Sequence, residues 1–149
     1  MKNKLQFLRR TVLPALVVLG LVVYQYYTEN QPPLSEEEVA KAGVVEAAYA
    51  AERSGVWVEV GGRIKRTLPD DNEGSRHQRF ILELDSGHTV LVAHNIDLAK
   101  RVPLYEDDRI DLRGRYEWND RGGVIHWTHH DPDGRGPEGW IRAQGKLYR

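Results

Sequence analysis

The sequence predicts a mainly β domain preceded by two helices, the first of them membrane-spanning. Three observations carry this reading: an uncharged apolar run near the N-terminus, an Ala-rich segment behind an N-cap signature, and period-two alternation from Val56 onward. The chain has 149 residues, a length suited to one hydrophobic core. At 29% charged and 40% hydrophobic it is neither a disordered chain nor a polytopic membrane protein. It has no cysteine, which excludes disulfides, thiolate metal sites and a cysteine nucleophile.

Charge is unevenly placed. Residues 1–28 hold Lys2, Lys4, Arg9 and Arg10 and no acid, whereas the rest of the chain holds 17 bases against 22 acids. An acidic domain argues against nucleic acid as a general partner. Thr11 to Thr28 carries no formal charge and is apolar from Val12 to Val23. As a helix rising ~1.5 Å per residue this stretch is roughly 27 Å long, close to a hydrocarbon core of ~30 Å. Tyr24, Tyr26 and Tyr27 stand where an aromatic belt would meet the headgroups. The bases precede the run and Glu29 and Glu36 to Glu38 follow it, which by the positive-inside rule keeps the N-terminus cytoplasmic. No small-x-small cleavage site lies between Tyr24 and Pro33, so an uncleaved anchor is expected rather than a signal peptide. Residues 1–28 are thus a cytoplasmic basic segment and a single-pass anchor in the cytoplasmic (inner) membrane. Residues 29–34, with Pro32-Pro33, are a stiff linker, and 35–149 are an exported helix plus domain, periplasmic or extracellular.

The second helix is short and amphipathic. Ser35 with Glu38 three residues on makes a capping box, Ala-rich sequence continues to Arg53, and Gly55 is placed to end it. Val56, Val58 and Val60 then alternate with Trp57 and Glu59, and Gly61-Gly62 suits a bend before Ile64. Phe80, Leu82 and Leu84 form a second alternating set, and Val90 and Val92 a third. Both lie on even numbers, so a three-residue loop, Asp85-Ser86-Gly87, puts them on one face. Asp97 to Arg101 suits one short helical turn. Ile110 to Trp118 is a fourth strand, and Asn119 to Gly122 turns it into a fifth, Gly123 to His130. In that hairpin Trp118 faces Gly123, and Gly114 faces Trp127 and leaves room for its indole. Three strands, a helical connection and a two-strand hairpin, with a glycine bend in the first strand, is the order of a five-stranded OB-like barrel; a plain antiparallel sandwich fragment is the alternative.

Three strings are idiosyncratic: Leu68 to Phe80 (LPDDNEGSRHQRF), Ala93-His94-Asn95, and Gly122 to Pro132 (GGVIHWTHHDP). With the Gly139-Trp140-Ile141 and Gly145-Lys146 tail, they make the chain from about Val56 to Arg149 resemble an uncharacterised bacterial family, domain of unknown function 3465. The resemblance implies kinship and no activity.

All six histidines lie between His77 and His130. In an OB-like order strands three and five are parallel neighbours, so their ends meet the start of strand two at one rim. That rim is expected to gather His77, Arg79, His94, Asn95, His129, His130 and Asp131 beside the acidic loop Asp70 to Gly74, with His126 nearby. These residues are the candidates for binding a small anionic or saccharide ligand, or a partner protein of the envelope. A divalent metal, Zn or Mn, would draw its ligands from His77, His94, His130 and Asp131 or Asp71. His126 and His130 share a strand face but stand about 13 Å apart at ~3.3 Å per residue, too far to chelate one ion alone. Plainer readings stand beside these: His129 as an inward core histidine, His126 in a polar pair opposite Arg115 and beside Glu117, and His88 as a surface turn residue. Arg76, Arg79, Arg113 and Arg115 offer forks for phosphate or carboxylate, and Trp118, Trp127 and Trp140 offer stacking planes or core. The chain has no Walker loop, dinucleotide fingerprint, nucleophile elbow or HExxH. The leading expectation is an anchored binding module. A metal-dependent hydrolase of phosphodiesterase type using the same rim is the alternative, and a structural envelope module the third.

Overall fold

The computed structural model describes residues 17–27, 30–36 and 43–149. Two units separate, Met1–Pro33 and Leu34–Arg149. In the first, residues 17–27 are helical and their Val, Leu and Tyr side chains are exposed. Asn30 closes this stretch, its backbone and side-chain N–H groups both donating to Tyr26 O at 3.1 and 2.8 Å. Among the described residues no helix is long and apolar enough to cross a membrane. The expected span Thr11 to Thr28 falls partly, at 11–16 and 28, outside the described residues, as do the four bases that would orient it.

The second unit is mainly β. Helix α1 (Val44–Ala50) is followed by β1 (Val56–Asp71), β2 (His77–Leu84), β3 (Thr89–Asn95), β4 (Arg109–Glu117), β5 (Val124–His126), β6 (Trp140–Ala143) and β7 (Lys146–Tyr148). The capping-box residue Glu38 lies outside the described residues, and α1 ends earlier than Gly55 would have it. The stop is a Schellman arrangement in which Arg53 N donates to Ala48 O and Glu52 N to Tyr49 O, with Glu52 at φ 52° in the left-handed place glycine usually takes.

Five strands close a ring: β1–β2–β3–β5–β4 and back to β1. β1 does this by serving two partners, β4 through Val56–Arg63 and β2 through Gly62–Asp71. The two pairings overlap at Gly62-Arg63, and a Cβ on Gly62 would stand 2.5 Å from Glu83 O. Register shifts between Ile64 and Arg66 and between Leu68 and Asp71 supply the curvature that closure needs. The β2–β3 hairpin has the anticipated register, Phe80↔Val92 and Leu82↔Val90, with Gly87 at φ 86°. β3 and β5 pair in parallel through Leu91↔Val124 and Val92↔Ile125. The even positions of β2, β3 and β4 fill the ring with Phe80, Leu82, Val90, Val92, Ile110, Leu112 and Tyr116, each burial contributing about 1.5–3 kcal/mol.

Each end of the ring is covered. At the β2–β3 and β4–β5 turns, α1 sends Val45 and Ala48 into the core, bonds Glu46 to Ser86 and packs Tyr49 against His88, tilted at 60°, and Trp118, stacked, at centroid distances of 4.9 and 6.4 Å. At the other end, Gln78 acts as a strand surrogate: its Nε2 donates to Val102 O at 2.8 Å and its Oε1 accepts from Val102 N at 2.9 Å. This pins the connection from β3 to β4, which begins with a single turn closed by Ala99 N to Asn95 O rather than a helix.

Two features depart from the sequence reading. β5 keeps the anticipated register, Arg115↔His126, but ends there instead of at His130. Trp127 adopts φ 55° and turns away from β4, whose edge from Arg113 back to Ile110 is taken by β6. Gly114 therefore makes room for the departing backbone, not for the Trp127 indole: a Cβ there would lie 2.5 Å from His126 O. The β6–β7 hairpin was not anticipated. It turns on Gln144-Gly145, both at positive φ, the two-residue form that matches strand twist.

Candidate functional site

The rim exists as a place, but its side chains are largely spent on holding it. Asp71, His77 and Asn95 stand in one cross-strand row on β1, β2 and β3. Asn95 Oδ1 accepts from Asp97 N and Leu98 N at 2.9 and 3.3 Å, and Asp71 Oδ1 from Glu73 N at 3.1 Å. Both are side chains that cap their own turns. Arg79 Nε donates to Pro69 O at 3.0 Å and lines a cleft of about 340 Å³ shared with Gln78, Arg101 and Tyr105. Arg101 in turn pairs with Asp70, and Arg76 clasps Asp97 through its Nε and its backbone N. The bonds from Arg76 hold the Asp97 carboxyl below the usual range.

His94 is fully buried and bonded at both nitrogens, to Thr128 Oγ1 at 2.8 Å and Lys100 O at 3.1 Å. A carbonyl only accepts, so Nε2 carries the proton and Nδ1 accepts from the Thr128 hydroxyl. Burial pushes the imidazole down to about 4, against the opposing bond to Lys100. A neutral imidazole with no free lone pair is not a metal ligand. His129 is also buried, as its inward reading expected; its Nδ1–H donates to His130 O at 2.7 Å, and its ring stacks on Trp127 at 5.7 Å.

Asp131 organises the loop between β5 and β6. Its carboxylate accepts from Gly136 N at 2.6 Å, Arg135 N at 2.8 Å and Asp133 N at 3.1 Å, which lowers its pKa, Gly136 contributing most. The loop's base is pinched where Gly139 packs on the Trp127 and Arg113 carbonyls and its N donates to His129 O at 2.9 Å. His88, expected at the surface, is half-buried against Tyr49 with Nε2 donating to Gly122 O at 2.9 Å. Among the described residues no three His, Asp or Glu side chains are grouped to hold a metal ion. Of the rim candidates, His77 and His130 stay half-buried, and their imidazoles form no hydrogen bond with a described residue.

The outer surface of β1, β4, β5 and β6 is organised differently. Cross-strand rows run Trp57–Arg115–His126, Glu59–Arg113–Trp140 and Gly61–Asp111–Arg142. In the first, His126 stands opposite Arg115 and beside Glu117, as the sequence suggested, and the two side chains lie 3.5 and 3.1 Å from that carboxylate. Burial raises the Glu117 pKa, but the His126 bond and the Arg115 charge outweigh it and the group is net lowered. In the other rows the guanidinium of Arg113 lies 5.9 Å from the Trp57 ring centre, and that of Arg142 4.9 Å from the Trp140 ring. Neither Arg113 nor Arg142 forms an ion pair with a described residue. Sequence reasoning singled out Arg113 and Trp140 but missed Trp57 and Arg142. The available signal was the alternation of Trp140 and Arg142 with Ile141 and Ala143. Trp118, by contrast, packs on the core and Tyr49, while Trp127 is 42% exposed.

No curated protein sequence matches the chain. The family described as "Protein of unknown function (DUF3465)" matches residues 32–149, so the match begins ahead of α1 and takes in the whole ring and the β6–β7 hairpin. The chain belongs to the DUF3465 family.

Proposed function

We propose that the chain is an OB-type binding module, held outside the cytoplasmic membrane by its N-terminal segment, that takes an anionic or saccharide ligand. The observation that carries binding is a contrast between two surfaces. The rim's His94, Asn95 and Asp131 are consumed by internal hydrogen bonds, whereas the guanidinium groups of Arg113 and Arg142 lie over indoles and form no ion pair with a described residue. The OB-type reading is supported by ring closure through a parallel β3–β5 pair. The anchor is supported by the basic-then-apolar N-terminal sequence and by the exposed Val and Leu side chains of helical residues 17–27.

The test has two arms. Full-length chain expressed in bacteria should resist alkaline extraction from membranes, and a variant lacking residues 1–28 should be released; release of both contradicts the anchor. In uncharged detergent, carboxylated or phosphorylated sugars should raise the Tm of the full chain. A screen in which neither anions nor sugars raise it contradicts the binding reading.

A further inference from the structure

We infer that the outer face of β1, β4 and β6 is a binding surface for an acidic oligosaccharide, held by Trp57, Arg113, Trp140 and Arg142; this rests on the binding-module reading and names its site and ligand class. Arg113 sits in the row between the two indoles' strands, directly opposite Trp140, and reaches over Trp57. Arg142 sits one row further on, opposite Asp111, and reaches back over Trp140. The two arginines are diagonal neighbours, a relation that spaces Cα atoms by about 7–8 Å, so one extended ligand meets both. A guanidinium held over an indole face as a cation–π contact still presents N–H donors that can fork a carboxylate.

Charge selects the ligand class. The same three rows carry Glu59 and Asp111, both exposed. Those carboxylates accept hydrogen bonds from sugar hydroxyls, donors that a phosphate group does not supply. Gly61, opposite Asp111, makes room for that carboxylate, whose Oδ1 would lie 2.8 Å from a Cβ placed there. Forks for carboxylate, acceptors for hydroxyls and aromatic planes for the apolar faces of pyranose rings together describe a uronic-acid oligosaccharide rather than nucleic acid or a phospholipid surface.

The experiment is calorimetric titration of the full chain in uncharged detergent with oligogalacturonate and with its methyl-esterified form. Wild type should bind the acid at least about tenfold more tightly than the ester. Arg113→Gln and Arg142→Gln, both surface changes, should each weaken acid binding about tenfold, and Arg→Lys at either site should fail to restore it because the fork is lost. Circular dichroism and an unchanged Tm would show the variants folded. Acid binding by wild type that the Gln variants retain overturns this surface and leaves the binding-module reading standing. Equal binding of acid and ester, no binding of either, or tighter binding of oligothymidylate or of phosphatidylglycerol vesicles overturns the ligand class.

Discussion

His94 and Thr128 are joined by a 2.8 Å hydrogen bond that extends the parallel seam of the ring beyond its last backbone pair. β3 and β5 share only Leu91↔Val124 and Val92↔Ile125, the shortest pairing in the ring. Two residues on from Val92 and three on from Ile125, a side-chain bond takes over where β5 has ended. The imidazole then anchors the β3–β4 connection through Lys100 O. His94 thus ties three segments together, which explains a fully buried histidine without invoking a ligand.

Thr128→Val keeps shape and removes the hydroxyl, leaving Nδ1 of His94 buried and unpaired. The expected loss is about 1–3 kcal/mol, read as a lower urea midpoint with an unchanged slope. A variant as stable as wild type would remove the bond from the account.

Stability should depend on pH through the same residue. An unfolded-chain histidine titrates near 6.5, whereas burial holds His94 to about 4. As pH falls below 6.5 the unfolded state takes up the proton first. Stability is therefore full above that value, declines between 6.5 and 4, and levels off below. The His94 contribution to the fall is about 3 kcal/mol. Denaturation at a series of pH values should show this slope in wild type and lose it in His94→Gln.

Gly139→Ala should be among the most damaging single changes. The added Cβ would collide with the Trp127 and Arg113 carbonyls, backbone atoms that cannot swing aside. A loss of about 3 kcal/mol or more is expected, or failure to fold, against about 0.5 kcal/mol or less for Gly74→Asn at the open β1–β2 turn, whose φ of 73° asparagine tolerates. Paired thermal melts decide it.

Asp131→Ala should loosen the loop from Asp131 to Gly136 and nothing else. Its three bonded amides, Asp133, Arg135 and Gly136, should exchange with deuterium markedly faster, while those of β3 and β4 keep their protection. Unchanged exchange at these three amides would contradict the carboxylate's role as the loop's organiser.

Much of the ring was legible because it is written in alternation and turn length. Even-numbered apolar residues, a three-residue loop with Gly87 and the Asn119–Gly122 turn specify registers that the structure repeats at Glu83↔Thr89 and Arg115↔His126. The end of β5 was not legible. It depends on β6 arriving from far along the chain to take the edge of β4, and on the close approach of Gly139. The internal bonding of the rim was missed for a different reason. His94 continues the inward parity of Val90 and Val92, so its burial could have been read from β3 alone. Asn95 and Asp131 each precede backbone amides that short polar side chains habitually cap. Trp57 escaped notice because its approach to Arg113 requires β1 and β4 in known register, and Arg142 because β6 itself is not anticipated from the sequence.

The most direct test is the nitrogen-15 spectrum of the His94 ring in the full chain, followed across pH and then with added zinc. The structural role of His94 predicts a proton on Nε2, an accepting Nδ1, titration near 4 and no response to zinc while the fold persists. A His94 that titrates near 6.5, or whose ring nitrogens shift at one equivalent of zinc, would return the rim to the role of a ligand or metal site.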